Sequence, residues 1–323
     1  MEISKKLLSG LALEKDLSLN SKSSGEGKFK VFTSTLKGKL SELMLLNLLV
    51  MLFAAPIFII IQFIMPNMEQ IATKDFNFTG NIGIAYPGAI DTFLNGKVAN
   101  LQVKFIVLAM LIPCFSVLGI GFAGLMYCVR NHMWGVPVKL RVHFWRGIKL
   151  YWWKYLLVFT IIGVLVFGVG GSIIKLSQAI MLGGAPWWLW LLTIVLCAFA
   201  LLFALFMLFY LPMMVCYRFK YSDLIKNSTI LGSTMILTSL IILVVMVLPT
   251  LLLLSGVTSL IFLMLMVLFG FSFYGMIIMA YGQYMFENFI NALYELKQQE
   301  QIKLVKKKKK APQTHATNYK SKK

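Results

Sequence analysis

Long uncharged stretches alternate with lysine-rich stretches along the chain, and this alternation predicts the fold. Five windows contain no Asp, Glu, Lys or Arg, and each is at least 20 residues long. They are the 26 residues between Glu42 and Glu69, the 25 between Lys104 and Arg130, the 20 between Lys154 and Lys175, the 42 between Lys175 and Arg218 and the 60 between Lys226 and Glu287. Because about 20 residues of helix cross the hydrocarbon core of a bilayer, each window predicts at least one membrane span.

The two longest windows contain turn-forming residues that divide them. The window of 60 breaks at the Ser-Gly-Val-Thr-Ser sequence of 255–259, and the window of 42 begins with a turn at 181–186 before one long helix. The first span is predicted to end at Pro66. The sequence thus predicts an all-α, polytopic bundle of about six spans, at approximately 44–65, 105–129, 155–174, 187–217, 235–254 and 260–286.

The distribution of basic residues predicts the orientation of the bundle. With the N-terminus inside, the inner segments hold 27 of the 31 Lys and Arg residues, as expected from the preference of basic loops for the cytoplasm. Both termini are therefore predicted to be cytoplasmic. The predicted divisions are a polar tail at 1–40, a six-span membrane domain at 41–286 with an outer loop at 66–104, and a cytoplasmic helix with a lysine-rich tail at 287–323.

The inner connectors mix large apolar residues with cations, which is typical of amphipathic helices at a lipid surface. The segment 145–154 is predicted to be such a helix, running into the third span, and Ser222 is predicted to cap a second one that enters the fifth span. Contact with anionic lipid headgroups is predicted for Arg130, Arg146, Lys149, Lys154, Lys306, Lys307, Lys308, Lys309 and Lys310. For the five-lysine run, the simpler interpretation is a solvated tail that reinforces the orientation.

Composition supports a membrane protein and removes one class of partner. Hydrophobic residues make up 59% of the chain and charged residues 13%, about half the charged fraction of a typical soluble domain. A net charge of +19 would suggest nucleic-acid binding in a soluble protein. Here the charge lies in the connectors between spans, so no nucleic-acid partner is expected.

A Gly-x-Gly-x-x-Gly sequence at 119–124 has a structural rather than a nucleotide-binding interpretation. A dinucleotide site requires this motif after a strand and before a helix, with an acidic residue about 20 positions later. In this chain it lies inside a hydrophobic span. Small residues inside spans allow helices to approach closely, and this packing role is predicted for Gly119, Ala123, Gly124, Gly168 and Gly171.

No arrangement of reactive side chains predicts catalysis. The predicted spans contain no Asp, Glu, Lys, Arg or His, and the four cysteines form no CxxC pair. His132 and His143 share one connector and are predicted to be interfacial surface residues. We therefore expect no catalytic residues, no cofactor and no metal, with an enzyme of unfamiliar type as the alternative.

Several short sequences resemble the YesL-like family of bacterial membrane proteins. They are Leu46-Asn47-Leu48-Leu49 with Ala55-Pro56-Ile57, the segments 123–131 and 144–149, and Asp223-Leu224-Ile225-Lys226-Asn227. The resemblance covers approximately 40–295 and implies a multi-span helical protein, often encoded among carbohydrate uptake and degradation genes. It supplies no catalytic residues. The outer loop, the polar N-terminal tail and the lysine tail depart from the family pattern.

Two functions from different classes follow from these features. The first is an accessory, scaffold or regulatory protein of the bacterial cytoplasmic membrane, with the bilayer, anionic lipids at the cytoplasmic face and a membrane protein as partners. The alternative is a permease or transporter component for a small, carbohydrate-related solute. A polar cavity between the spans would favour the alternative, and a solid bundle would favour the first.

Overall fold

A computed structural model describes residue 33 and residues 36–73, 87–217, 219–250 and 263–291, and all regular structure in these ranges is helical. The predicted all-α class is therefore confirmed. The helices are α1 (Leu40–Ile59), α2 (Met65–Thr73), α3 (Pro87–Met133), α4 (Leu140–Met181), α5 (Trp187–Cys216), α6 (Tyr221–Thr234), α7 (Ile236–Val247) and α8 (Phe271–Met285). Three π-helical segments adjoin these helices. Ile60–Ile64 joins α1 to α2, Met266–Gly270 precedes α8, and Phe286–Asn291 follows α8.

Five helical stretches of the described residues are long and apolar enough to cross a bilayer. They are Leu40–Ala72, Gly96–Met133, Leu140–Met181, Trp187–Cys216 and Leu263–Ile290. The pair α6 and α7 gives a sixth if the two count as one broken span. Many large apolar side chains on these helices are exposed, including Leu52 and Leu202, as expected where lipid covers the surface. The chain is accordingly a multi-pass membrane protein.

The first span does not end at Pro66, so that prediction is wrong. The helix continues through the π-helical segment Ile60–Ile64 into α2, which contains Pro66 and ends at Thr73. Proline lacks an N–H group and its ring collides with the preceding turn of a regular helix. The wider π turn immediately before Pro66 accommodates the ring. The helix α3 likewise begins at Pro87 rather than near residue 105.

The helices α3 and α4 form a long antiparallel hairpin. They contain 47 and 42 residues and are joined by a short turn at 134–139, in which Gly135 has a φ of 67°. The segment 145–154, predicted as an interfacial helix that runs into the third span, is the beginning of the uninterrupted helix α4. At about 1.5 Å per residue, α4 is about 60 Å long, roughly twice the thickness of the hydrocarbon core.

The predicted fifth span differs most from the structure. The helix α6 packs against α5, where the Ser228 hydroxyl lies 3.8 Å from Met213 Sδ, and the chain then bends by 91° into α7. The Thr234 hydroxyl donates to backbone carbonyls of α6 at the bend, which is how Thr and Ser often disturb helices. No side chain caps α6, whose N-cap is Lys220, so the capping role predicted for Ser222 is wrong.

The described basic residues gather at one end of the bundle. This basic end comprises the residues from 36 into the start of α1, the end of α3, the turn at 134–139, the first half of α4, the end of α5 and the residues from 219 into α6. It holds ten of the thirteen Lys and Arg residues in the described ranges, and the other three are Lys97, Lys104 and Lys175. The side of the membrane that the basic end faces, cytoplasmic by the sequence pattern, stays a prediction.

Candidate functional site at the basic end

One face of α4 carries aromatic and basic side chains that are exposed, although the Trp145 ring also meets the Phe53 ring of α1 at 6.5 Å between centres. Trp145, Arg146, Lys149, Trp152 and Trp153 are all exposed. Their spacings of three, four and seven residues place them along one side of a helix. We name these five residues the basic–aromatic face. Three indole rings with two cations form a surface suited to the boundary between lipid and water.

The opposite side of the same segment packs tightly on α3. Phe144 is fully buried, and a Cβ at Gly147 would lie 2.6 Å from Tyr127 Cβ. The backbone of α4 at Gly147 therefore lies directly against the Tyr127 side chain of α3, an approach that only glycine permits. The packing fixes the rotation of α4 and therefore holds the basic–aromatic face outward.

Lys154 lies at the edge of this surface and contacts a different helix. Its side chain is half-buried, and Nζ lies 5.5 Å from the centre of the Tyr221 ring at the start of α6. A lysine over an aromatic face is a favourable cation–π contact. The structure thus uses Lys154 to join α4 to α6.

Arg130 is half-buried and binds groups of the protein instead of lying on the basic–aromatic face. Its Nη1 donates a 2.7 Å hydrogen bond to the Val215 carbonyl in the last turn of α5, and Nη2 donates to Asn131 Oδ1 at 2.9 Å. The guanidinium also lies over the rings of Tyr127 and Trp134, at 4.4 and 4.8 Å from their centres. A cation at the carbonyl end of a helix compensates its dipole. Arg130 therefore fastens the end of α5 to α3.

His132 is buried, so its prediction as an interfacial surface residue is wrong. The ammonium of Lys39 lies 3.2 Å from His132 Nδ1, and Glu42 Oε2 lies 3.5 Å from His132 Nε2. An ammonium can only donate, so Nδ1 accepts, and the ring proton of a neutral imidazole is then on Nε2, facing the carboxylate. The position of His132 in the sequence could have indicated its burial. It comes four residues after Cys128, which is buried, and therefore lies on the same side of α3.

The small residues singled out on α3 lie in close contact with α4. A Cβ at Gly119 would lie 2.7 Å from Phe159 Cβ, and one at Gly124 would lie 2.7 Å from the Phe144 ring. Ala123, between them, is fully buried. These distances leave no room for a larger side chain.

The two glycines singled out on α4 differ from each other. A Cβ at Gly171 would lie 3.1 Å from the Phe105 ring, which is a tight contact with α3. At Gly168 the nearest atom is a methyl group of Leu196 at 3.9 Å, which is ordinary contact distance. The structure thus places Gly171, but not Gly168, in a close helix contact.

Several predicted features lie outside the described residues. They are the polar tail before residue 33, the turn at 255–259 and the lysines Lys306, Lys307, Lys308, Lys309 and Lys310.

A cavity of about 780 Å³ lies between α3, α4, α5, α7 and the helix that contains α8. Nineteen of the described residues line it, and the two polar ones among them are Thr250 and Tyr274. Sequence reasoning did not locate this cavity, because a void is created by side chains that are distant in the chain. The bundle is thus neither solid nor lined by polar groups at this place.

The described residues contain no cluster of three or more His, Cys, Asp and Glu side chains that could hold a metal ion, and the four cysteines are free thiols. Comparison of the chain with protein-family models, curated proteins and solved structures finds no match.

Proposed function

We propose that this chain is a non-catalytic accessory or scaffold protein of the bacterial cytoplasmic membrane, which acts by binding at its basic end. The observation that carries the proposal is the basic–aromatic face of α4, which is exposed while the other side of the helix is fixed against α3. The ligands of the basic–aromatic face are anionic phospholipid headgroups of the cytoplasmic leaflet. The resemblance to the YesL-like family agrees with this assignment and stays a prediction.

Electrostatics and shape both support anionic lipid as the ligand. Arg146 and Lys149 are exposed, and the neighbouring Trp145 and Trp153 are about half exposed. A basic residue near an anionic membrane surface contributes about 1 kcal/mol of attraction. The indole rings favour the same interfacial depth.

A permease for a polar, carbohydrate-related solute has less support. Such a pathway needs side chains that replace the hydrogen bonds of the solute with water. The cavity between the spans has almost only apolar walls. The accessory function is therefore the better proposal.

A charge-neutralising substitution tests the lipid contact. In the full chain purified in mild detergent, Lys149→Gln should reduce the number of phosphatidylglycerol molecules retained, as counted by native mass spectrometry. The matched control is Lys97→Gln, which removes an exposed charge at the opposite end of the bundle. Equal retention in both variants and the unaltered protein would contradict the proposal.

Two further measurements test the orientation and the accessory role. In a chain whose four cysteines are replaced by alanine, Leu150→Cys on the exposed surface of α4 should be inaccessible to an impermeant thiol reagent added outside intact cells. Affinity purification should recover a membrane protein in fixed proportion. Labelling from outside would overturn the orientation, and repeated recovery of the chain alone would overturn the accessory role.

A further inference from the structure

The cavity between the spans has a lining that offers almost no hydrogen bonds. Of the nineteen lining residues in the part of the chain that the structure describes, seventeen have apolar side chains or are glycine. The Thr250 hydroxyl already donates a 2.6 Å hydrogen bond to the Val247 carbonyl. A sugar, an ion or a peptide that entered would lose its hydration without replacement. The lining therefore selects an apolar occupant.

The depth of the cavity places it in the hydrocarbon region. On α4 its lining begins at Ile162 and ends at Gly170, which is eleven residues, or about 16 Å, from the end of the helix at Met181. On α5 the lining begins at Ala200, about 20 Å from the start of that helix at Trp187. The surrounding medium at this depth consists of lipid acyl chains.

The cavity is open towards that medium. Val166 on α4 and Val247 on α7 line it and are also exposed, by 38% and 48%. The helices α4 and α7 lie on either side of the opening, and their neighbouring outward residues Val164 and Val244 are exposed as well. An occupant can thus enter sideways from the bilayer without crossing a polar barrier.

Small residues create the space. Ala200 and Ala204 both line the cavity, so two positions on its wall lack a side chain that could reach across it. Gly170 also lines it, but there a Cβ would lie 2.8 Å from Leu108 Cδ1, so Leu108 already fills that place. An unfilled void forfeits the dispersion contacts of its lining, and an inserted chain restores them. The volume of about 780 Å³ lies within the range of ordinary ligand sites.

We propose that this cavity is a binding site for one acyl chain of a membrane lipid. The acyl chain enters between α4 and α7 and packs against Ala200 and Ala204. This proposal does not depend on the function of the basic end, since the two sites occupy different depths and different helix surfaces.

The test uses the full chain in phosphatidylethanolamine vesicles that contain a trace of phosphatidylglycerol with a diazirine in the middle of one acyl chain. After illumination, site-resolved mass spectrometry should find crosslinks on the lining residues of 162–170 and 200–211. Ala204→Phe, which fills the cavity, should reduce these crosslinks several-fold. The matched control is Ala198→Phe on the exposed surface of the same helix, which should leave them unchanged.

Native mass spectrometry gives a second readout. The unaltered chain and Ala198→Phe should retain one tightly held lipid through detergent exchange, and Ala204→Phe should lose it. If Ala204→Phe unfolds, the smaller Ala204→Leu serves in its place. Crosslinks confined to outward residues such as Ile194, or an equal loss in both variants, would each overturn the proposal.

Discussion

The seam between α3 and α4 and the region around the cavity represent two different ways of packing helices in a membrane. Along the seam, a Cβ added to Gly119, Gly124 or Gly147 would lie 2.6–2.7 Å from a neighbouring helix. On the part of α4 that runs past the cavity, a Cβ at Gly170 would also be close to a neighbour, 2.8 Å from Leu108 Cδ1, whereas a Cβ at Gly168 would lie 3.9 Å from the nearest atom, a Leu196 methyl group. In lipid, helices associate through van der Waals packing, because the acyl chains are as apolar as the side chains. Glycine therefore indicates close association only at the positions where a neighbouring helix occupies the place of the missing side chain, and at Gly168 it makes an ordinary contact instead.

The seam should fail under a single large substitution. Gly124→Leu places its Cβ 2.7 Å from the Phe144 ring and 3.0 Å from the Phe144 carbonyl oxygen. We expect a loss of about 3 kcal/mol in the free energy of unfolding, measured by denaturant titration in detergent micelles. Gly168→Leu is the control and should be tolerated. If the two variants were equally destabilised, the contrast between the regions would be wrong.

The side chain of Asn47 forms a polar clamp, which connects α1 to the helix that contains α8. The fully buried Asn47 of α1 donates to the carbonyls of Met266 and Val267 at 2.9 and 2.7 Å, and it accepts from the Ser272 N–H at 3.1 Å. The two carbonyls belong to the π-helical segment before α8.

Asn47→Leu leaves these backbone groups without their partner. The expected cost is about 2 kcal/mol of unfolding free energy, the usual range for unsatisfied buried polar groups. Gln62→Leu, at an exposed position of the same helical stretch, should change stability by less than about 0.5 kcal/mol. A similar small change for Asn47→Leu would show that the clamp does not fix the last helix.

Arg130 connects the seam to α5, and lysine should not replace it. Lysine retains the charge but not the planar fork that reaches Val215 and Asn131 together. Arg130→Lys should cost about 1.5 kcal/mol of unfolding free energy. The control Arg141→Lys changes an exposed arginine, and only a loss specific to Arg130 supports this connection.

Substitution of Tyr155 should give the smallest change in stability. This residue lies between the seam and the cavity. Its hydroxyl donates a 2.7 Å hydrogen bond to the carbonyl of Leu211, a residue that lines the cavity. Tyr155→Phe should cost about 1 kcal/mol, measured in the same titrations. Tyr284→Phe, on an exposed ring, should leave the unfolding midpoint in place.

Local sequence pattern predicted the parts of the fold that depend on composition. The apolar windows gave the long helices, and the predicted turn at 181–186 separates α4 from α5, where Gly183 and Gly184 have positive φ. The aromatic and basic residues of 145–154 lie on the exposed side of one helix. Periodicity carries this information because each helix in lipid satisfies its own backbone hydrogen bonds.

Tertiary packing determined what the pattern missed. The π turn before Pro66 and the bend after Thr234 depend on how backbone groups are satisfied locally. The burial of His132 depends on Lys39 and Glu42, about 90 positions away in the chain. The cavity depends on four or more helices at once. The last two relations join residues that are far apart in the chain, so no single window of the sequence encodes them.

The unbroken helix α4 has a mechanical consequence. Its 42 residues contain no proline, and a regular helix of about 60 Å exceeds the hydrocarbon thickness by about 30 Å. Such a helix passes through the bilayer as one continuous element that packs against α3 along the seam. The three tryptophans near its beginning and the turn at Gly183 and Gly184 after its end are therefore joined by continuous helix.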